Sequence, residues 1–211
     1  SSVLAEMLDP GIKEIRKGMT PMCYPSEHIN GEYIPNCCLW FALNVCELIE
    51  RKRLSEYLPQ AKRKVYEILK AFAPFENEDG LLEDLESWVF VEWSVAGSKE
   101  YRKGVNYPTN MLYYQTLKEA AKAFGDNDLN AKAKKVKRKI IEQSFDGTFF
   151  QDNRIRENGI LTLKNHISET CQYFAFFSGV ADCENFSSLI KTMIEKFGVN
   201  RKKLCYPQIG G

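Results

Sequence analysis

The chain has 211 residues, 44% hydrophobic and 27% charged, which is material for one sizeable core and unlike the composition of a disordered chain. Its 29 basic and 28 acidic residues nearly cancel, so no long-range field draws it toward nucleic acid or an anionic membrane surface. The longest apolar runs, such as 88–91 and 173–177, fall far short of the roughly 20 residues that a membrane span needs.

Residues 3–17 read as a leading helix. A polar loop follows, carrying Tyr24, Pro25, Ser26, Glu27 and His28 and running on to Ile34, Pro35 and Asn36. Beyond it, apolar residues recur at helical spacing in three pairs of segments, and each pair reads as a helical hairpin. In the first, Leu39, Ala42, Cys46 and Ile49 precede Ala61, Val65, Ile68 and Phe72, with Pro59 suited to the first turn of the second helix. In the second, Met111, Tyr114, Leu117, Ala121 and Phe124 end at Gly125, a residue fit for a left-handed stop. Asn127 or Asp128 then suits the N-cap of a helix carrying Ala133, Val136 and Ile140. The third runs over about 168–178, turns through 179–185 and continues with Phe186, Ile190, Met193 and Phe197.

The hairpins recur about every 65 residues, from Leu39 to Met111 to Cys171, a period that fits a closed or curved array of helix pairs. First helices are poor in charge, whereas second helices carry Lys62, Arg63, Lys64 and Glu67, the dense run 132–142, or Lys191, Glu195 and Lys196. First helices therefore line an inner ring and second helices an outer ring. The stretches between pairs, 73–106 and 144–167, are long, and long loops in a compact fold usually carry function. Both contain a glycine turn before apolar residues, at Asp79-Gly80-Leu81-Leu82 and Asp146-Gly147-Thr148-Phe149-Phe150, where short strands are expected. The fold class is thus all-α: a single domain over 1–211, with short strands in its inter-hairpin loops.

The stretch 81–94 reads LLEDLESWVFVEWS and places Glu92 directly beside Trp93, with Trp88 close by. Sugar sites need a flat aromatic face against the C–H side of a ring and carboxylates for its hydroxyls. The competing structural reading is that the two tryptophans plug the core and Glu92 caps a neighbouring helix. Ser168 is a candidate N-cap, which puts Glu169 in a first helical turn where the dipole alone explains its charge. If Glu169 and Gln172 point inward, they reach the same cavity as Glu92. The lysine run 132–139 reads as solvated surface. His28 and His166 lack a second ligand at metal spacing, so no metal or cofactor is expected. Seven cysteines, an odd count without a CxxC pair, favour free thiols and a cytoplasmic setting. No signal peptide is legible at the start, although a chain beginning inside a longer protein would lack one equally.

The order YPSE, IPNCCLWFAL, LPQAKRKVYEILKAF, DGLLEDLESWVFVEWS, a helical pair turning at AFG, and ISETCQYFAFFSGV resembles the catalytic α/α toroid of the α-L-rhamnosidase family over roughly residues 20 to 200. That family comprises inverting glycoside hydrolases built on a ring of six hairpins, an (α/α)6 toroid. The resemblance implies a carbohydrate substrate, with Trp88 and Trp93 as stacking faces and Glu92 and Glu169 as hydroxyl acceptors. In the family an Asp tends to stand where this chain has Glu92. The family's acid motif upstream of the YPS-like loop and its base downstream of the SE-x-x-Q-like helix are not found here. The chain therefore reads as a fragment of three to four hairpins, inactive alone, with its catalytic residues expected elsewhere; apolar inner helices such as 107–124 are expected to be exposed at its ends and to drive self-association. A helical repeat scaffold for protein binding, or a toroid acting on another glycan, are the alternatives.

Overall fold

The computed structural model describes Leu8, Gly18, Met19 and residues 33–52 and 55–198. The expected leading helix and the loop bearing Tyr24, Glu27 and His28 lie outside the described residues. The expected hairpins are present. Helix α1 (Pro35–Glu50) pairs with α2 (Leu58–Phe72), and both start on a proline in the first turn, where its missing N–H costs nothing. After the short helix α3 (Lys99–Arg102) and strand β1 (Val105–Asn106), α4 (Tyr107–Phe124) pairs with α5 (Asn127–Ser144). A hairpin of β2 (Asn153–Glu157) and β3 (Ile160–Leu163) leads to the third pair, α6 (Glu169–Ser178) and α7 (Ser187–Phe197).

The first helices α1, α4 and α6 pack side by side, and α5 lies behind α4. Every residue of α4 from Tyr107 to Leu117 is buried, because helices close on it from three directions, so this helix is not the exposed inner helix that the sequence suggests at 107–124. Trp40 of α1 meets Phe177 of α6 at 5.3 Å between ring centroids, so the inner layer is curved enough for its outer members to touch. Inner helices are the more buried and outer helices amphipathic, as their charge distribution predicts, with departures on both sides: Lys64 on α2 is only 2% exposed, and Tyr173 and Phe177 on the inner helix α6 are half-exposed. Leu8 and Met19 join the same core, and Arg63 donates to the Leu8 carbonyl at 3.0 Å.

Helix stops follow local chemistry. Gly125 and Gly179 close α4 and α6 in the left-handed region, at φ 65° and 79°. The N-cap of α5 is Asp126 rather than Asn127 or Asp128: its carboxylate accepts from the Asp128 and Leu129 N–H groups at 2.9 Å. One residue earlier, an acceptor reaches both orphan donors.

Strands differ more from expectation. The two glycine turns form isolated bridges, Glu76 with Leu82 and Phe145 with Phe150. The three-stranded antiparallel sheet is built instead from β1, β2 and β3. Its hairpin turns at Asn158-Gly159, both at positive φ (51° and 84°), the pair a two-residue type I′ turn demands.

Both glycine-turn loops are gripped in the same way. Asn110 of α4 accepts from the Leu82 N–H at 2.7 Å and donates to the Leu82 carbonyl at 2.9 Å and to the carbonyl of the N-cap Asn106 at 2.8 Å. Gln172 of α6 accepts from the Phe150 N–H at 2.8 Å and donates to the Phe150 carbonyl at 2.7 Å and to the carbonyl of the N-cap Ser168 at 3.0 Å. Each amide stands four residues after its N-cap, so the hairpin repeat recurs in hydrogen-bonding chemistry. Asn110→Ala and Gln172→Ala each leave a buried N–H and C=O without partners and should lower unfolding free energy by about 3 kcal/mol, read from denaturant titration. A loss no larger than that of an exposed substitution would show that the clamp carries nothing.

Candidate functional site

The loop between α2 and α4 crosses the start of α1 and is pinned there by side chains. Ser87, at φ 66°, donates to the Tyr33 carbonyl at 2.7 Å and accepts from its N–H at 3.1 Å. Asn36 accepts from the Phe90 N–H at 3.1 Å and donates to Thr109 on α4 at 2.9 Å. Arg102 donates to the Val89 carbonyl. These anchors cluster three aromatic rings: Phe90 and Trp93 edge to face at 4.9 Å, Trp88 and Trp93 at 6.1 Å, and Trp88 and Phe90 at 5.8 Å. Trp93 remains 53% exposed, whereas Val89 and Val91, which alternate with the rings, are buried. Alternation over 88–91 turns the valines toward the core and leaves Trp88 and Phe90 on the other side; the buried Glu92 breaks it, and Trp93 closes on those two rings.

Glu92 is buried, and its Oε2 accepts from Thr170 Oγ1 at 3.1 Å. Thr170 lies in the first turn of α6, so the loop carrying Trp93 and the start of an inner helix meet at this bond. Glu169, one residue earlier, is also buried and accepts from the Tyr173 hydroxyl one turn along. Gln172 does not join them: it is fully buried and its amide is committed to Phe150. Helical spacing places residues 169 and 172 near one another, but a side chain that finds a backbone N–H and C=O together is held there.

The start of α6 is itself fixed. Ser168 caps it, accepting from the Cys171 N–H at 3.0 Å. Asp152, fully buried, accepts from the Ser168 N–H and hydroxyl, each at 2.6 Å. No ion pair reaches Asp152 among the described residues, and burial outweighs the two Ser168 hydrogen bonds, pushing its carboxyl up to about 7. Neither Asp152 nor Thr170 was singled out by sequence; the Asp152-to-Ser168 separation across a hairpin has no periodic signature. His166 stacks on Tyr101 at 4.3 Å and its Nδ1 lies 2.8 Å from Asn153 Oδ1. Cys171 is buried, with its thiol pushed well above the ordinary thiol range by burial.

Elsewhere, the lysine run is partly structural. Lys132 pairs with Glu76 at 2.5 Å and Lys139 with Asp79 at 3.1 Å, and Lys137 donates to the Gly179 carbonyl at 2.7 Å; Lys134, Lys135 and Arg138 are exposed. A depression of about 340 Å³ at the α4–α5 turn, lined by Lys118, Lys122 and Asn130 among others, lies at the far end of α4 from the aromatic loop. Among the described residues, no group of three or more His, Cys, Asp or Glu side chains is placed to hold a metal ion, and no helix is long and apolar enough to cross a membrane. Cys37, Cys38, Cys46, Cys171 and Cys183 are free thiols.

No protein-family model matches the sequence, and no curated protein matches it. Solved structures do. A rhamnosidase from Klebsiella oxytoca with rhamnose bound superposes with a TM-score of 0.62 at 11% identity, over 84% of this chain and 34% of that one. A GH78 family rhamnosidase of Bacillus sp. GL1 gives 0.60 at 18% identity, over 77% of this chain and 17% of that one. The fold resembles part of a rhamnosidase toroid. At these identities the likeness is one of fold, and the chain spans about a third or less of the structures it matches.

Asp152 gives a pH test. Its folded carboxyl titrates near 7 against an unfolded value of 3.8, so the folded state keeps a proton that the unfolded chain releases. The resulting stability is full below about 4 and is lost as pH rises toward 7, by up to about 4 kcal/mol. Denaturation at a series of pH values should show that decline, and Asp152→Asn should flatten it; an unchanged slope in the variant assigns the titration elsewhere.

Proposed function

We propose that the chain forms one arc of the catalytic toroid of a glycoside hydrolase of the α-L-rhamnosidase type and supplies part of its sugar-binding wall. The observation that carries this reading is the Thr170–Glu92 hydrogen bond, which joins the loop bearing the exposed Trp93 and the buried Glu92 to the helix start bearing the buried Glu169. A pyranose presents a C–H face and a ring of hydroxyls, and such a site meets both. In this reading Trp88 and Trp93 offer stacking faces while Glu92 and Glu169 accept hydroxyls. The fold shared with a rhamnose-bound rhamnosidase supports a terminal rhamnose-like sugar as the ligand.

The reaction of the whole enzyme is single displacement with inversion, which needs an acid on the leaving oxygen and a base on water from the opposite side. Both belong to parts of the ring that this chain does not span, in keeping with its 34% and 17% coverage of the matched chains. The chain alone then binds sugar without hydrolysing it. The half-exposed Tyr173 and Phe177 on α6 form an apolar edge that a second copy of the chain covers.

Titration of the chain with L-rhamnose, followed by tryptophan fluorescence, should show saturable binding that Trp93→Ala weakens about tenfold. Equal binding by wild type and variant, or release of product from an aryl rhamnoside by the chain alone, overturns the corresponding half of this reading. Sedimentation should show a concentration-dependent dimer that Phe177→Ser shifts to monomer; a monomer at every concentration removes the self-association.

A further inference from the structure

We infer that Thr170, backed by Ser94, is the positioning residue that orients Glu92 toward a bound sugar; the inference rests on the sugar-site reading above. Glu92 sits outside any helix or strand, and a glutamate has three side-chain torsions with which to wander. Two contacts hold it, one at its backbone and one at its carboxylate. The first acts on its backbone: Gly97 turns back onto the Glu92 carbonyl so closely that a Cβ there would lie 2.2 Å from that oxygen. The second acts on its carboxylate. Thr170, buried at 5% exposure on the rigid start of α6, donates to Oε2 at 3.1 Å. Its β-branched side chain has few rotamers in a helix, so the position of its hydroxyl follows the backbone.

Proton counting sets the direction of the chain. A carboxylate only accepts, and Thr170 has one hydroxyl proton, which goes to Glu92. The 3.3 Å contact between Ser94 Oγ and Thr170 Oγ1 is therefore donated by Ser94. Ser94 Oγ in turn accepts from the Ala96 N–H at 3.2 Å. A backbone amide, two hydroxyls and a carboxylate thus point the same way, and each bond polarises the next. Thr170 fixes one carboxylate oxygen in place, and that placement sets where a sugar hydroxyl can approach Glu92.

Four variants of the full chain, titrated with L-rhamnose, test this. Thr170→Val keeps the shape and removes the hydroxyl, and should weaken binding roughly tenfold. Thr170→Ser restores the hydroxyl and should bind within about twofold of wild type. Ser94→Ala leaves the Thr170 bond intact and should give a smaller loss in the same direction. Trp93→Ala is the control for the site itself. If Trp93→Ala weakens binding while Thr170→Val does not, the positioning role is wrong and the sugar site stands. If Thr170→Ser binds as poorly as Thr170→Val, the hydroxyl is not the cause and the inference is overturned. If Thr170→Val fails to fold, the ordering of wild type, Ser94→Ala and Thr170→Ser decides: equal binding by wild type and Ser94→Ala overturns the relay. No binding by wild type overturns both the sugar reading and this inference.

Discussion

An amide four residues into an inner helix, gripping both backbone groups of one loop residue, is the interaction on which the rest of this structure rests. Asn110 holds Leu82 and Gln172 holds Phe150, each from a fully buried position and each also tied to the carbonyl of its own N-cap. Leu82 and Phe150 are themselves fully buried, so the loops enter the core there, and a loop in the core must satisfy its backbone polar groups. A side-chain amide has one acceptor and two donors, which suits a backbone N–H, a backbone C=O and the N-cap carbonyl together. The same solution occurring twice fixes where each inter-pair loop begins relative to the inner helix that follows it.

From those two fixed points the candidate site is assembled. The first loop, held at Leu82, continues across α1, where Ser87 and Asn36 pin it, and brings Trp88, Phe90, Glu92 and Trp93 to the same end of the inner layer. The second, held at Phe150, presents Asp152 to the Ser168 cap, which sets the first turn of α6 and with it Glu169 and Thr170. The two segments then join through Thr170 and Glu92, 78 residues apart in sequence. Rigid elements thus hold chemistry that resides in loops.

The helices were legible because their signals are local. The three-and-four spacing of Leu39, Ala42 and Cys46, and the glycines at 125 and 179, state their own meaning wherever they occur, and the charge difference between first and second helices follows from burial alone. The sheet has a local signal too, Asn158-Gly159 between Arg154, Ile155 and Ile160, Leu161, whereas the glycine turns at 80 and 147, which carry a similar signal, form bridges instead. Within the site, Trp88, Glu92 and Trp93 are adjacent in sequence and could be grouped. Thr170 and Asp152 could not, since a lone Thr and a lone Asp acquire their roles from partners far away in sequence. Gln172 shows the opposite error: periodicity gives the face on which a side chain stands and says nothing of which backbone group will capture it.

The burial of α4 has a consequence for how such a chain can change. Its residues from Tyr107 to Leu117 are covered by α1, α5 and α6 together, so the pair α4–α5 is a unit of sequence repetition without being a unit of folding. Removing either neighbouring pair strips one flank of its first helix, whereas lengthening a loop beyond its clamped residue costs little closure entropy. Change is therefore tolerated better in the rim segments than in the inner layer, where every residue of α4 from Tyr107 to Leu117 is shared with its neighbours.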